Sequence, residues 1–474
     1  MRFFSPPLAL IFSLLLSTAP LAAYQSQSPF SLSEIADDFP AQGFETEIAF
    51  WTRVFTEWDE KHIIFHDMRD LGLIYHVQVM EKGIRHDDDE KERQREVLKE
   101  AREAWEDRLA EIGRWGTASP RLQPVHLDLI RRVRERGMEI TPRTFRELSE
   151  QVRYQRGVRD KYLEGLIRSR RYLDRIEEIF QDHGLPKVLA LMGHVESSFD
   201  FNAYSKVGAV GIWQFMRSTG RRYLRINRYI DERRDPIKAT HAAARYISEN
   251  HEKLGNWPFT VTAYNHGPYG MLRALKRHGN DFRQTVDHYQ SRTFGFASRN
   301  FYPSFLAAIE VDRNYRRYFG EVEFDPPAAF DTIRLENGYH VSHLEKLSAL
   351  DLEQLQSLNP HLTRYVWQRS RVLPAGVELH LPAGQGEKVE AALASFKPTS
   401  SPVTVAADGS MLYRVRSGNT LGSIARSFGT SIRSLMRWNG ISNPHRIYAG
   451  QLLVVSPPSP LGEGIRSSTS GPSK

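Results

Sequence analysis

Residues Leu185 to His194 read Leu-Pro-Lys-Val-Leu-Ala-Leu-Met-Gly-His, and Val195-Glu196-Ser197-Ser198-Phe199 closes the stretch. Val188, Leu189, Leu191, Met192 and Val195 recur at the spacing of one buried helix face. Pro186 suits the first turn of such a helix, where its missing N–H costs nothing. A helix of this kind must be buried against other elements. Glu196 stands at the end of the apolar stripe. Near an apolar face the charged form of a lone carboxylate is disfavoured, so its pKa should rise, and a carboxyl protonated near neutral pH can serve as a general acid. An isolated glutamate at a helix end also reads as a solvated residue, so the strings that follow carry the decision.

The first of these is Gly208-Ala209-Val210-Gly211-Ile212-Trp213-Gln214-Phe215-Met216. Two glycines three apart let the backbone approach closely or take positive φ, which would fix the orientation of Trp213 and Gln214. An aromatic face beside an amide suits a sugar; the same string fits a structural glycine turn with a core tryptophan. The second is Thr262-Ala263-Tyr264-Asn265-His266-Gly267. It offers a hydroxyl and an amide side by side, and it also reads as a helix C-terminus closed by Gly267. Between them Asp235-Pro236 is a cap-then-proline helix start, and Ala239, Ala242, Ala243 and Ala244 allow close helix packing.

Together these strings resemble the family 23 lytic transglycosylases, relatives of goose-type lysozyme. That family's pattern is Glu-Ser on a helix, then Gly-x-x-Gly-x-Trp-Gln-Phe-Met, then Ala-Tyr-Asn-x-Gly, and all three occur here in order. The resemblance implies a mainly α, lysozyme-like catalytic domain over residues 181–325 of a multidomain chain. It makes Glu196 the sole catalytic acid/base, with Ser197 orienting it by a hydrogen bond. Gln214 and Met216 would line sugar subsites, and Tyr264 and Asn265 would touch substrate around the cleavage point. The implied reaction is non-hydrolytic cleavage of the β-1,4 bond between N-acetylmuramic acid and N-acetylglucosamine in peptidoglycan glycan strands. Glu196 protonates the leaving oxygen, then takes the proton of the muramyl C6 hydroxyl, which closes a 1,6-anhydro ring. One carboxylate then suffices where ordinary hydrolysis uses two.

Two departures from the family pattern stand out. Many members carry Glu-Thr-Arg-Asn-Tyr-Val-Pro near the domain end; here the stretch is Ala297-Ser298-Arg299-Asn300-Phe301-Tyr302-Pro303. The carboxylate is lost at Ala297, and Tyr302 is the candidate replacement for the displaced tyrosine as a substrate-binding residue. His266 stands where a small residue is usual and is expected to fill the pocket rim. No cofactor is implied, and the histidines are scattered without metal-ligand spacing. The rival readings are a muramidase or chitinase that uses water, and a catalytically silent peptidoglycan-binding scaffold.

Residues Tyr413 to Gln451, including Gly418-Asn419-Thr420-Leu421, Trp438-Asn439 and Gly450, resemble a LysM module, a small α+β fold of βααβ order over 411–456. The resemblance implies binding of N-acetylglucosamine-containing glycans by Gly418, Asn419, Thr420, Leu421 and the region of Ile447. Leu355 and Asn359 in an earlier segment match Leu435 and Asn439, which marks 330–384 as a degenerate copy lacking the glycan-loop residues. Residues 396–410 read as a linker and 457–474 as a disordered tail.

The N-terminus has the pattern of a secretory signal over 1–23: Arg2, an apolar run from Leu8 to Leu16 too short to span a bilayer, then small residues to Ala23. This places the mature protein in the periplasm of a two-membrane bacterium, soluble or peripherally attached to a membrane. The absence of cysteine excludes disulfides, thiolate metal sites and a lipid-modified cysteine. A net charge of +7 without a dense Lys/Arg block gives no support for nucleic acid. Residues 24–180 read as helices without chemistry of their own, with Glu47 to Arg69 presenting an aromatic face, Asp87 to Ile112 a long exposed helix, and Thr141 to Phe180 further helix.

Overall fold

The computed structural model describes residues 30–81, 88–348, 352–368, 371–399 and 401–458. The expected signal segment 1–23 and most of the expected disordered tail 457–474 lie outside the described residues.

The N-terminal third is not all helix. The helix Glu45–Thr56 stops, and His62–Asp67 becomes the central strand of a three-stranded antiparallel sheet with Ile74–Val79 and Val152–Arg156. The run Ile63-Ile64-Phe65 explains the switch, because β-branched and aromatic side chains favour the pleated surface. The alternation of a strand sends neighbours to opposite faces. Ile63 and Phe65 enter a satellite core with Leu98, Leu109, Ile112 and Val133, while Ile64 joins the main core. The long helix Asp88–Trp115 is therefore buried along one stripe rather than exposed all round. The expected helix over 141–180 is likewise divided into Pro142–Ser149, the third strand, Arg159–Ser169 and Leu173–Asp182.

The main core is built around the helix Phe296–Arg313, which packs against Glu45–Thr56, Trp257–His266 and the short helix Met192–Ser197. The apolar stretch from Leu185 is broken: Lys187–Leu191 is a 3₁₀ turn with Pro186 as its cap residue, and Met192–Ser197 is α-helix. The tighter 3₁₀ winding brings consecutive side chains inward, so Leu189, Ala190, Leu191 and Met192 are all buried. Asp235 caps the helix Pro236–Leu254 as expected, accepting hydrogen bonds from the amides of Ile237 and Lys238 at 3.0 and 2.9 Å.

The C-terminal third holds two copies of one device. Asn439 donates from Nδ2 to the carbonyls of Leu435 and Val454, each at 2.9 Å, and accepts from the amide of Val454 at 2.7 Å. Asn359 repeats this, donating to Leu355 at 2.9 Å and His380 at 2.8 Å and accepting from the His380 amide at 2.7 Å. The stretch 396–410 is not a free linker. Its Val403–Val405 strand pairs with Met411–Arg414, making a three-stranded sheet of what was read as a two-stranded module. The loop at Tyr229-Ile230 belongs to the hydrophobic cluster shared by both modules. Lys238 reaches across to Glu378 at 2.6 Å.

Candidate active site

Glu196 occupies the last turn of Met192–Ser197, and the chain leaves that turn through Ser198 and Phe199, both at φ 54°. Left-handed conformation at two successive non-glycine residues is strained, and the surroundings hold it in place. Arg168 donates to the carbonyls of Ser198 and Phe199 at 2.8 and 3.2 Å. Gly165 lets the helix Arg159–Ser169 pass so close that a Cβ there would lie 2.7 Å from the Ser198 carbonyl oxygen. The turn aims Glu196 into a pocket of about 360 Å³. Burial alone, with no counter-charge or hydrogen bond, pushes its carboxyl up to about 8.

The glycine string forms the adjoining loop. Gly208 and Gly211 lie at φ 88° and 80°, and a Cβ on Gly211 would stand 1.9 Å from the Arg233 carbonyl oxygen. Arg233, without a role in the sequence reading, braces this loop by donating to the carbonyls of Gly208 and Phe215 at 2.9 and 3.0 Å, and is itself held by Asp231 at 2.7 Å. Gln214 sits at φ 44°, with Nε2 donating to the Gly211 carbonyl at 2.9 Å. Met216 is 41% exposed at the end of the loop.

Several expected roles need correction. Of the two readings of the glycine string the core tryptophan holds: Trp213 is fully buried against Phe180, and its indole N–H donates to Thr240 at 2.9 Å. The Ser197 hydroxyl does not hold Glu196; its one hydrogen goes to the Ile212 carbonyl at 2.9 Å. Tyr302 is buried between Phe44 and Phe282, donates to the Pro40 carbonyl at 3.0 Å and does not line the pocket. A residue one step from Phe301 on a helix points about 100° away from it, and it is Phe301 that lines the pocket. His266 packs edge-on against Phe294, away from the residues lining the pocket.

Tyr264 donates to the Trp213 carbonyl at 2.9 Å, and burial together with the nearby Glu196 carboxyl raises its phenol well above the ordinary value. Asn265 reaches the pocket, its Oδ1 accepting from Ser298 at 2.9 Å. The structure thus gathers Glu196, Asn265 and Ala297 on one pocket, while Ser197 and Tyr264, on their own helices, bond to the glycine loop that carries Gln214. The sequence reading missed the part of the lining that the N-terminal region supplies, Trp51, Arg153, Gln155 and Lys161.

In the C-terminal module Asn419 accepts from the Tyr413 hydroxyl and the Arg416 amide at 2.6 and 2.9 Å, with Gly418 at φ 81° beside it. Thr420 caps the following helix, its hydroxyl accepting from the Ser423 amide at 3.1 Å. Ile447 is partly buried against the module core. Leu421 is 1% exposed, so its side chain is a core residue rather than a surface contact.

The site thus joins, in a mainly helical domain, a lone carboxyl of raised pKa at a buried helix end to a glycine-braced loop. Residues 176–286 match the transglycosylase SLT domain and residues 413–456 the LysM domain, so the chain carries an SLT domain followed by a LysM domain. It is 29% identical over 297 residues to membrane-bound lytic murein transglycosylase D of Escherichia coli strain K12, covering 61% of this chain and 64% of that protein. The chain thus spans just under two thirds of that curated relative's length. It is also 46% identical over 65 residues to the N-acetylmuramoyl-L-alanine amidase XlyA of Bacillus subtilis strain 168, covering 12% of this chain and 22% of that protein.

Proposed function

We propose that the protein is a peptidoglycan lytic transglycosylase that cleaves the bond between N-acetylmuramic acid and N-acetylglucosamine and leaves a 1,6-anhydromuramic end. The observation that carries this reading is Glu196: among the described residues it is the one carboxyl lining its pocket, and its burial keeps it protonated at neutral pH. A protonated carboxyl gives its hydrogen to the glycosidic oxygen as that bond breaks. The resulting carboxylate then takes the hydrogen of the muramyl C6 hydroxyl as O6 bonds to C1. The proton balance closes on one residue, and no second carboxylate is needed. Asn265 and Gln214 supply amides to the sugar, and Tyr264 and Ser197 hold the loop that carries Gln214.

In this reading residues 181–325 are the catalytic domain and 24–180 build one wall of its pocket. Residues 411–456 hold glycan through Gly418, Asn419, Thr420 and the Ile447 region, while 330–384 serve as a spacer. The segment 1–23 directs export to the periplasm. Among the described residues no helix is long and apolar enough to cross a membrane. The test is mass spectrometry of soluble products from peptidoglycan sacculi, with Glu196→Gln alongside. Anhydromuramic ends that vanish in the variant are expected. Reducing muramic ends would make the protein a hydrolase, and binding without products would make it a scaffold.

A further inference from the structure

The Glu196 pocket has a cationic wall that lies outside the SLT match. Arg153, on the strand Val152–Arg156, and Lys161, in the helix Arg159–Ser169, line it together with Ala297 and Asn265. Strand register explains why they face it. Arg153 is paired with His66 and Gln155 with Ile64, and directly opposed residues share a face. That face is the one turned to the main core, since Ile63 and Phe65 point the other way.

Neither cation has a carboxylate partner among the described residues. The Arg153 guanidinium lies 4.1 Å over the ring of Phe296, and no carboxylate is among the groups that act on it. Lys161 follows Asp160, but Arg159 engages that carboxylate at 3.0 Å. Ala297 contributes no charge, and Glu196 is the only acid lining the pocket among the described residues. Two cations facing a concave, partly apolar site leave a positive field that draws an anion. A guanidinium seated over an aromatic ring keeps N–H donors free for a carboxylate, whose geometry its fork matches.

Resting on the reading above, we propose that Arg153 and Lys161 form a carboxylate-binding wall that reads the acidic substituent of the muramic acid in the bound strand. That acid is a carboxylate of the attached peptide or, on unsubstituted strands, the bare lactyl group. The wall makes cleavage sensitive to what the sugar carries, through residues outside the catalytic domain.

The experiment compares initial rates of anhydro-product release by the full chain and by Arg153→Ala/Lys161→Ala. Three substrates are used: peptide-bearing strands, the same strands with every carboxylate capped as a methylamide, and strands stripped to the lactyl carboxylate by an amidase. Wild type should cleave peptide-bearing strands faster than capped ones, and the variant should lose about tenfold of that ratio, the scale of one charge-assisted hydrogen bond. A further loss on stripped relative to capped strands assigns the lactyl group; its absence assigns the peptide. Arg153→Lys/Lys161→Arg should restore the ratio. A variant that keeps the wild-type ratio, including one slowed equally on all three, overturns the proposal. Wild type releasing no anhydro product from any substrate would instead overturn the transglycosylase reading.

Discussion

The Tyr264 hydroxyl donates to the carbonyl of Trp213 at 2.9 Å, and the Ser197 hydroxyl donates to the carbonyl of the preceding residue, Ile212, at the same distance. The three strings that stand apart in the sequence therefore meet on two consecutive peptide units. Their shared geometry keeps the Glu196 helix end, the glycine loop and the helix Trp257–His266 in register. Tyr264→Phe and Ser197→Ala should each cost about 1–3 kcal/mol, since each leaves a carbonyl without its donor. The double variant should lose less than the sum, because both bonds hold one loop. Urea unfolding midpoints of the four proteins check this; strict additivity would mean that the bonds act independently.

The carboxyl of Glu196, raised from 4.5 to about 8 by burial, fixes the sign of two pH effects. Cleavage needs the protonated acid, so kcat should fall as pH rises through about 8 with the slope of one proton. For stability, the folded pKa lies above the unfolded one, so the protonated state favours folding. That contribution is complete below about 4.5 and is lost as pH climbs to about 8. Glu196→Gln removes the effect. It should gain on wild type by up to about 1.4 kcal/mol per pH unit in that window and stop gaining above it. Thermal unfolding of both proteins between pH 5 and 9 reads the difference, and parallel curves would place the carboxyl in water.

Gly211 and Gly208 look alike in sequence, yet the structure separates them. Both have positive φ, but a Cβ on Gly211 would meet the Arg233 carbonyl oxygen at 1.9 Å, whereas the nearest atom to one on Gly208 is the Tyr204 hydroxyl at 4.0 Å. Gly208→Ala should cost about 1–2 kcal/mol of backbone strain. Gly211→Ala must also push backbone apart, and a loss above about 4 kcal/mol or failure to fold is expected. Equal midpoints for the two variants in denaturant would contradict the close approach.

What the sequence disclosed and what it hid divide along physical lines. Asp235-Pro236, the paired glycines and Glu196 after an apolar run are local signals, because a cap, a positive φ and a helix stripe depend on few neighbours. Trp213 stayed open between two readings and Tyr302 was misread because one pattern serves both a core aromatic and a ligand platform, and only packing against Phe180 or Phe44 decides. The pocket wall at Arg153 was hidden for another reason. It depends on pairing across His66, and the strand Val152–Arg156 lies between helices rich enough in charge to mask its alternation. The strand Val403–Val405 was lost inside a Pro/Ser/Thr-rich stretch whose composition reads as linker.

Asn359 and Asn439 hold equivalent places in the two small modules, each tying a helix end to the last strand with three hydrogen bonds. Asn359 is fully buried and Asn439 only partly so. Replacement of either by alanine strands main-chain groups of a helix and a strand together, and should cost about 2–4 kcal/mol, more at Asn359. Aspartate is no remedy. It keeps the acceptor for the strand amide but turns an oxygen toward the two carbonyls that Nδ2 now serves, so Asn359→Asp should be at least as destabilising as the alanine variant. Hydrogen exchange at the amides of His380 and Val454 reports each site separately. Protection should fall at His380 alone in Asn359→Ala and at Val454 alone in Asn439→Ala. Loss at both amides from either change would mean that the modules unfold as one unit, coupled through the strand Val403–Val405.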